Sequence, residues 1–574
     1  MFESLVEFAQ SKNLVDVEGY QLRPIRWLVH IRSDGSLVNV EDTQTAGDRP
    51  GAKPRPKQSL APTTPKRSIN VKASAFVDNS KYVFGYETSA KEETVLRAQA
   101  CKWSFRDIIR FACEQTRDET AAAALRFLER FDAGEFLDRV PPADHATNDL
   151  FGFILEPQRS ALHDPQNRTL HTFIVTRESD RVSNEVACSV CERRGTVART
   201  HDNIKGVAGA MPKGADMVSF NQSAFCSYGF EQGANAPMCL SCMASYTTAL
   251  NAMLDRHKLK QSVRIGNAAS IVYWTRGGDA NGVADSLFGE LLEGSPEAVG
   301  RLFQSAKTGL KMTVYSGRVY AVTLTGDRAR IAARNWIEET ISSALENLRR
   351  HFADLDMEGA DRPPSIWALL EALSAAGKGE ATATTLSGPL TYAALCGRPY
   401  PLGALEAAVR RNRADNKMLE RHTGALRAGI IKAVLLRLPS QPYGELKPML
   451  DPETKEPAYR CGRLLAVLDR LQELATGAAA GVVERYFGSA SSAPASVFGT
   501  LLRNAQNHLS KLDQTSKSNG IYFNRLIGEI LASMAEFPHT LSVQEQGLFA
   551  LGFYHQRQTF FTKRQSATSE DNVT

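Results

Sequence analysis

The sequence predicts an α+β protein, in which a mixed N-terminal α/β region with antiparallel strands precedes an all-α C-terminal helical bundle. Short strand-like runs separated by turn residues recur through residues 1–355, whereas strand signals nearly vanish after about Leu386. With 574 residues, the chain is too long for one hydrophobic core. We therefore expect an N-terminal region at 1–355, a linker at 356–385, a helical bundle at 386–565 and a disordered tail at 566–574.

The N-terminal region begins with a predicted β-hairpin. Apolar residues alternate from Ile25 to Ile31, and Asp34-Gly35 then turns the chain into a second strand at residues 37–40. The following segment, 49–67, contains five prolines and is interpreted as an exposed basic loop, because proline cannot continue a helix.

Helices and strands then alternate along the rest of this region. Helices are predicted over Ser104–Phe131 and Ala244–Leu254 from their apolar spacing. Strands are predicted over Phe151–Leu155, Leu170–Thr176 and Ala269–Trp274, with a further pair within Thr313–Leu324. A helix is predicted to follow over Ala329–Leu348. Acidic residues and prolines cluster from Asp354 to Pro364, which places the start of the linker there.

The bundle is predicted from a series of amphipathic faces. Helices are expected over Ala404–Arg411 and Lys417–Leu438, and three further apolar faces follow, beginning at Leu464, Val497 and Leu526. Ser542 and Glu545 form a capping box that predicts a last helix over Val543–Phe561.

Composition excludes several classes of protein. Apolar residues make up 43% of the chain and charged residues 23%, which is typical of a globular domain. No run of about 18 apolar residues occurs, so we expect no membrane span, and the acidic start of the chain argues against a secretory signal. Nine unevenly spaced cysteines argue against a disulfide framework, so we expect a cytoplasmic protein.

Two cysteine pairs bound a glycine-rich insert at residues 188–242. Cys188-x2-Cys191 and Cys239-x2-Cys242 have the spacing of a zinc knuckle with four thiolate ligands, although 47 residues separate the pairs. We predict a structural zinc ion here. The alternative is four reduced thiols, two of them packed in a core, with Cys226 and His201 as reserve ligands.

The insert also has the chemistry of a surface that contacts nucleic acid. It is rich in glycines, which let a backbone approach a partner closely, and in amides that pair with base edges. Candidates for contact with bases or phosphates are Lys205, Asn221, Gln232 and Asn235, with Gln232 as a candidate wedge between base pairs. The alternative is that these amides satisfy loop backbone. The insert's aromatic residues are expected to pack: Phe220, Phe225, Tyr228 and Phe230.

A basic run extends from Arg49 to Lys81. It contains eight Lys or Arg residues and a single acid, Asp78. Such runs supply sequence-independent contacts to phosphates, and the alternative is a solvated loop. Phe76 and Tyr82, close to the end of this run, are expected in the core, and Asp78 is expected to cap the local turn.

Long strings of the sequence resemble a known family. They are NIKGVAGA, MVSFNQSAFCSYGFEQGANAP and YTTALNAML around the insert, and SAFVDNSKYVFG, RCGRLLAVLDRLQE, YFGSASSAPASVF and LFALGFYHQRQTFFTKR elsewhere. Taken in their order along the chain, these strings resemble the large subunit of the subtype I-C CRISPR surveillance complex, Cascade.

The resemblance implies a role in antiviral defence with defined partners. The large subunit would recognise the protospacer-adjacent motif (PAM) of target double-stranded DNA and begin the unwinding that forms the R-loop. It would then stabilise the displaced strand and help recruit the Cas helicase-nuclease. Its partners would be crRNA, a five-type Cas subunit, backbone subunits and small subunits.

The resemblance also assigns roles to basic residues. In the basic run, the positions nearest DNA would be Lys66, Arg67, Lys72, Asn79 and Lys81. A groove for the displaced strand on the bundle would use Arg460, Arg463, Arg503, Lys511, Arg557 and Lys563. The small subunit of this subtype comes from an internal start, for which Met449 is the first candidate and Met418 the second.

No catalytic motif supports an enzyme. The chain has no Walker loop, no HExxH and no GxSxG, and the acids at Asp354 and Asp356 are expected to be solvated in the linker. We therefore expect a protein that is not an enzyme. The first alternative is a zinc-dependent nuclease or nucleic-acid-processing enzyme, and the second is a scaffold without DNA contact.

Overall fold

The computed structural model divides the chain into two compact units. Unit 1 comprises Met1–Ile204 and Asp216–Ala252, and unit 2 comprises Lys205–Ala215 and Met253–Thr574. The structure describes residues 1–14, 19–45, 54–64, 67, 71–179, 186–195, 197–255, 257–277, 283–308, 317–375, 379–439, 442–477, 481–532 and 534–570. At the ends of several helices, 562–570 among them, it describes the backbone only.

Unit 1 is a mixed α/β unit. Its helices are α1 Phe2–Ser11, α2 Ser80–Phe84, α3 Glu92–Thr116, α4 Glu119–Asp132, α5 Arg168–Ser179 and most of α6 Leu240–Leu254. Its strands are β1 Tyr20–Ile31, β2 Leu37–Asp42, β3 Gln44–Thr45, β4 Arg55–Pro56, β5 Gln58–Pro62, β6 Asp78–Asn79, β7 Leu150–Leu155, β8 Ser160–Ala161, β9 Val186–Ala187 and β10 Arg194–Gly195.

The main sheet of unit 1 is built on the predicted hairpin, which is confirmed. Its order is β2-β1-β7-β6, with β1 antiparallel to β2 and parallel to β7. Val29 pairs with Val40 across the hairpin and with Phe153 on β7. Val29 and Phe153 are fully buried and belong to the same core as residues of α3 and α4, which fixes the sheet against these helices.

The strand predicted over Leu170–Thr176 is instead part of the helix α5. Leu170, Phe173 and Ile174 are all buried. Their spacing of three and four residues places them on one face of a helix, where a strand would point Phe173 and Ile174 to opposite sides. The β-branched residues that favoured a strand therefore pack from a helical backbone.

Unit 2 contains the second sheet and the C-terminal helices around one core. Its strands are β11 Ser262–Ile265, β12 Ala269–Arg276, β13 Arg318–Asp327 and β14 Arg330–Thr340, all antiparallel neighbours in that order. Its helices are α7 Val283–Leu292, α8 Pro296–Thr308, α9 Ile341–Leu355, α10 Ile366–Leu373, α11 Gly379–Cys396, α12 Leu402–Ala414, α13 Arg421–Leu436, α14 Pro457–Thr476, α15 Val482–Ala490, α16 Pro494–Thr515, α17 Lys517–Leu531 and α18 Val543–Glu570.

The helix predicted from Ala329 begins twelve residues later. Arg328 has a φ of 49° in the turn between β13 and β14, so the chain reverses into a strand there. The helix α9 starts only after Thr340, whose hydroxyl accepts a hydrogen bond from the Ser343 N–H at 3.1 Å.

Residues 356–385 are not a linker. They contain α10 and the beginning of α11, and Leu369 and Leu370 of α10 are fully buried in the core of unit 2. The expected boundary at 355 consequently falls inside unit 2, because the sheet β11–β14 and the C-terminal helices share that core.

The final helix is opened by the predicted capping box. The Ser542 N–H donates to Glu545 Oε2 at 2.7 Å, and the Glu545 N–H donates to Ser542 Oγ at 3.4 Å. The helix α18 extends to Glu570, so residues 566–570 of the predicted tail continue it, and 571–574 lie outside the described residues.

Two glycines allow α14 and α18 to cross in backbone contact. A Cβ atom added at Gly462 would lie 1.9 Å from the carbonyl oxygen of Phe549, and one added at Gly552 would lie 2.1 Å from that of Tyr459. Only glycine permits so close an approach at these positions, so the crossing defines the centre of the helical bundle.

No helix in the described part of the chain is both long enough and apolar enough to cross a membrane.

Candidate metal centre and nucleic-acid interface

The first cysteine pair lies in the turn of a short hairpin. Strands β9 and β10 pair antiparallel, with Ala187 opposite Arg194. Within the turn, the Cys188 N–H donates to the Arg193 carbonyl and the Glu192 N–H donates to the Cys188 carbonyl, both at 2.9 Å. Glu192 takes a φ of 60°, and the resulting tight turn brings both thiols to the same side.

The second pair lies at the start of α6. Cys239 immediately precedes the helix and Cys242 falls in its first turn. Backbone hydrogen bonds at 2.8 Å, from Ser189 N–H to the Pro237 carbonyl and from Ala198 N–H to the Met238 carbonyl, join this segment to the hairpin. Two segments distant in sequence therefore meet at one cluster.

The four sulfurs have the geometry of a tetrahedral metal site. All four Sγ atoms lie within 4.8 Å of one another, and those of Cys191 and Cys239 are 3.8 Å apart. Thiolates at about 2.3 Å from a zinc ion are separated by about 3.8 Å along the edges of a tetrahedron. Cys188 and Cys242 are buried, so the donor set fits a structural zinc ion held by four cysteines.

Hydrogen bonds within the cluster favour the thiolate at Cys239, whereas burial raises the pKa of the Cys191 thiol. The pKa of the Cys239 thiol is lowered to about 5, chiefly because the Cys242 thiol hydrogen-bonds to its sulfur. The same contact raises the pKa of Cys242. Backbone N–H groups also point at sulfur, from Cys239 to Cys188 Sγ at 3.3 Å and from Cys242 to Cys239 Sγ at 3.5 Å. The reserve ligands Cys226 and His201 are not part of this cluster.

An exposed segment between the two pairs, residues 221–231, is here named the aromatic loop. All its residues are exposed except Cys226, which is half-buried. Tyr228 is 97% exposed and Phe230 is 52% exposed, with Phe225 also at the surface. The prediction that these three aromatic side chains pack is wrong, since all three are exposed, whereas Phe220 is half-buried.

The base of the aromatic loop is held by polar contacts. Asn235 Oδ1 accepts from the Ser227 N–H at 2.8 Å, and Asn235 Nδ2 donates to the carbonyls of Phe230 and Gln232 at 3.1 and 3.0 Å. Asn235 thus satisfies loop backbone, which was the alternative interpretation. The side-chain oxygen of Gln232 accepts from Arg199 Nε at 2.5 Å, so this glutamine lies at the base of the loop and not at its tip.

The metal centre and the aromatic loop are connected through two residues of one strand-like segment. Ala198 bonds to the backbone beside Cys239, and the next residue, Arg199, accepts a hydrogen bond from the Gly233 N–H at 2.9 Å. A Cβ atom added at Gly233 would lie 2.0 Å from the Ala198 carbonyl oxygen. The four-cysteine cluster therefore stabilises the base from which the aromatic loop projects.

Several residues of the basic run have intramolecular partners. Arg67 forms an ion pair with buried Asp78 and lies 3.8 Å from the centroid of the Tyr82 ring. Asn79 caps α2 by accepting from the Tyr82 N–H at 3.3 Å, and Lys81 pairs with Glu87 at 2.6 Å.

Other cations of the run remain exposed. Arg55, Lys57 and Lys72 are exposed, whereas Lys66 lies outside the described residues. The expectation that Phe76 and Tyr82 are buried is confirmed. Asp78 also accepts a hydrogen bond from the Ser74 N–H at 2.8 Å, so its expected local role is confirmed. Asn221 is exposed in unit 1, and Lys205 is exposed in unit 2.

The predicted basic groove on the bundle is largely absent among the described residues. Arg460 and Arg463 are buried, where Arg460 donates to the Ile530 carbonyl at 3.2 Å and Arg463 donates to Gln556 Oε1 at 3.1 Å. Their assignment to a surface groove is wrong, because these guanidinium groups serve as internal hydrogen-bond donors.

The remaining cations of this set are divided between surface and core. Arg557 is half-buried against the Phe561 ring at 4.8 Å. Arg503 and Lys511 are exposed on α16, and the side chain of Lys563 lies outside the described part. Of the predicted groove residues with described side chains, Arg503 and Lys511 are therefore the exposed ones.

Of the two acids expected to be solvated in the linker, Asp356 is exposed, whereas Asp354 is internal. Asp354 is buried and accepts a hydrogen bond from Arg437 Nε at 2.6 Å.

Tyr228 is the residue that sequence reasoning missed. The available signal was its position beside Gly229 in a segment without apolar periodicity.

A comparison with protein-family models matches residues 5–561 to the family described as CRISPR-associated protein (Cas_Csd1). A comparison with curated proteins finds no match.

Proposed function

The chain belongs to the CRISPR-associated Cas_Csd1 family, and from this premise we propose that it is the large subunit of a type I-C Cascade. In this role it recognises the PAM of double-stranded target DNA and begins duplex opening. It assembles with crRNA, a five-type Cas subunit, backbone subunits and small subunits, and helps recruit the Cas helicase-nuclease. The observation that carries this proposal is the aromatic loop projecting from a rigid four-cysteine base.

The aromatic loop supplies the chemistry that duplex opening needs. Proteins that kink or open DNA insert an apolar or aromatic side chain between base steps, where it replaces the lost stacking. Tyr228 is the most exposed of the loop's large side chains. We therefore assign the wedge to Tyr228 in place of Gln232, whose amide is engaged by Arg199 at the base of the loop.

Contacts to the DNA backbone come from exposed cations. Lys72 is available to bind phosphate, and exposed Arg193, Arg194 and Arg199 lie close in sequence to the metal centre. Phosphate contacts position a duplex without specifying its sequence, so the exposed amides of the aromatic loop, Asn221 and Gln222, would provide the discrimination between flanking motifs. Arg503 and Lys511 on α16 would hold the displaced strand.

The test compares binding of the reconstituted complex to target duplexes that differ only in the flanking trinucleotide, at fixed salt. We expect Tyr228→Ala to abolish most of the discrimination between flanks while binding of guide-complementary single strands is retained. Trp103→Ala, which removes another exposed aromatic of unit 1 (51% exposed), is the matched control and should discriminate like the wild type. If Tyr228→Ala also discriminates like the wild type, the aromatic loop does not recognise the flank.

The last five helices also support a separate small subunit. Met449 is 53% exposed in the segment before α14, whereas Met418 is 6% exposed. Translation from Met449 would yield α14–α18, which contains the complete α14–α18 crossing. Mass spectrometry of the intact complex should detect a fragment beginning at Met449. Its absence, with no other short C-terminal product, would contradict the internal start.

The alternative of a zinc-dependent nuclease is less well supported. A catalytic zinc site keeps one position open for water, whereas four cysteines close the coordination shell. Among the described residues, this cluster is the only group of three or more metal-binding side chains. We therefore propose a binding subunit that is not itself an enzyme. Metal-dependent cleavage of DNA by the purified chain would overturn this part of the proposal.

A further inference from the structure

A cavity opens between three helices of the C-terminal bundle. It lies among α14, α15 and α16 and has a volume of about 250 Å³. Its apolar wall is formed by Leu468, Val482, Leu501 and Ala505. This volume is close to the lower end of the range of small-ligand pockets, about 300 Å³, which suits one aromatic ring system and its attached group.

Polar side chains surround this apolar wall. Gln472, Arg485, Asn504 and Asn507 line the cavity, and no described residue forms a hydrogen bond or ion pair with their side chains. Amides carry both donors and acceptors, so they match the edges of a nucleobase. The half-buried ring of Tyr486 completes the lining and provides a stacking surface.

Arg485 is the charged side chain of the cavity lining, which contains no carboxylate. The lining also contains His508, whose pKa is lowered first by burial and then by the neighbouring Lys511 cation, so its imidazole is neutral near pH 7. Lys511 follows His508 by three residues on α16 and lies on the same face of that helix. Arg503 is exposed on the same helix. The cavity therefore favours an anionic group at its mouth and an apolar ring inside.

The cavity walls are held in place without a ligand. Asp469 on α14 accepts a hydrogen bond from the Val483 N–H at 3.2 Å, which fixes the start of α15. Phe487 packs edge-on against Phe549 and Phe553 of α18, with ring centroids 5.6 Å apart in both pairs. These contacts hold the backbone of α15, which carries Tyr486 and Arg485.

We propose that this cavity binds one unpaired nucleotide of a single strand. The base stacks on Tyr486 against the apolar wall, the amides of Asn504 and Asn507 contact its edge, and Arg485 with Lys511 binds the flanking phosphates. The proposal rests on the displaced-strand role given above and adds a defined pocket to it.

The test uses the full-length chain and a fluorescein-labelled 12-nucleotide single-stranded DNA, with binding followed by anisotropy at low salt. We expect Tyr486→Ala to weaken binding by about tenfold, since stacking on an aromatic side chain is worth about that factor per base. Tyr486→Phe should retain binding, and Ile521→Ala, at an exposed position outside the cavity, should behave as the wild type. Circular dichroism at the temperature of the binding measurement verifies that each variant is folded.

A second oligonucleotide separates base from phosphate. A strand of the same length that consists of abasic sites should bind the wild type about as weakly as the normal strand binds Tyr486→Ala. Under ultraviolet light, a strand that contains 5-iododeoxyuridine should cross-link to Tyr486. Equal affinity for the normal and abasic strands, or an unaltered affinity of Tyr486→Ala without this cross-link, would overturn the pocket.

The outcome is independent of flank recognition in the assembled complex. If that complex discriminates flanking motifs while Tyr486→Ala has no effect on strand binding, only the pocket is wrong. If the pocket binds a nucleotide as expected but no flank discrimination is found, the function proposed for unit 1 fails and the nucleotide site stands.

Discussion

Asp354→Asn removes the negative charge from a buried ion pair that joins α9 to the end of α13. Arg437 donates from Nε to Asp354 Oδ2 at 2.6 Å, and from Nη1 to the carbonyls of Ala393 and Arg398 at 2.8 and 3.0 Å. Its guanidinium also lies 4.6 Å from the centroid of the Tyr400 ring. Only 2% of the Arg437 side chain is exposed, so the substitution leaves a buried cation without its counterion.

The cost follows from this burial. Removing one partner of a buried ion pair typically destabilises a protein by about 3–5 kcal/mol. With roughly 330 residues in unit 2 and about 2.1 cal/mol/K of unfolding entropy per residue, the expected fall in Tm is about 4–7 °C. Thermal unfolding of the full-length chain, followed by circular dichroism at 222 nm, measures it.

The matched control lies on the same helix. Glu346 pairs with Arg349 at the surface, where the two side chains are 62% and 36% exposed, so Glu346→Gln should cost no more than about 0.5 kcal/mol. The double variant Asp354→Asn/Arg437→Met removes both charges and should recover part of the loss. An Asp354→Asn protein that melts together with the Glu346→Gln control would refute the reasoning.

Further predictions concern the metal centre, the buried histidines and the helix crossing. We expect elemental mass spectrometry to find about one zinc ion per wild-type chain, and Cys242→Ser to lose most of it. A wild-type protein without metal would contradict the site. Burial lowers the pKa of both His351 and His555 to about 3, so the unfolded state binds more protons below pH 6.5. Stability should therefore fall as pH drops from 7.5 to 5.5, by at most about 1.4 kcal/mol per pH unit for each histidine, and an unchanged urea midpoint would exclude this. Gly552→Ala should destabilise the bundle by about 1–3 kcal/mol or more, whereas Gly488→Ala, with nothing within 4 Å of the added methyl, should be neutral or stabilising by up to about 1 kcal/mol.

Local signals predicted local structure well. The alternation from Ile25 to Ile31 and the Asp34-Gly35 turn correspond to the observed hairpin, and the Ser542–Glu545 capping box opens α18 as expected. The spacing of the cysteine pairs likewise predicted a cluster, since the ligands of each pair are fixed by a turn of only four residues. For the hairpin, the capping box and each cysteine pair taken singly, the determining interactions lie within a short stretch of chain.

Interactions between distant segments were not predictable in the same way. Arg460 and Arg463 carry charges that favour a surface assignment, but each has a distant partner besides a local carbonyl: Ile530 and Gln556 are 70 and 93 residues away. Asp354 was assigned to solvent for the same reason, because its partner lies 83 residues further along the chain. Whether such charges are buried depends on the fold that supplies their partners.

The aromatic loop shows the opposite error. Phe225, Tyr228 and Phe230 were expected to pack because aromatic side chains dominate protein cores. All three are exposed, and the exposure of a side chain depends on which segments of the folded chain lie next to it. The two roles considered for the amides of the insert were contact with a partner and hydrogen bonding to loop backbone. Asn235 has the second role, since it stabilises the loop that contains Tyr228.

Residues 205–215 have a consequence for synthesis of the chain on the ribosome. They belong to unit 2, although the segments on both sides of them belong to unit 1. Their hydrogen-bond partners include Ser270, Gly326 and Arg328, which are translated much later. At a synthesis rate of about 5–20 residues per second, these eleven residues wait roughly 6–23 s for the last of those partners. All residues of unit 1 are thus synthesised before residues 205–215 can form these hydrogen bonds.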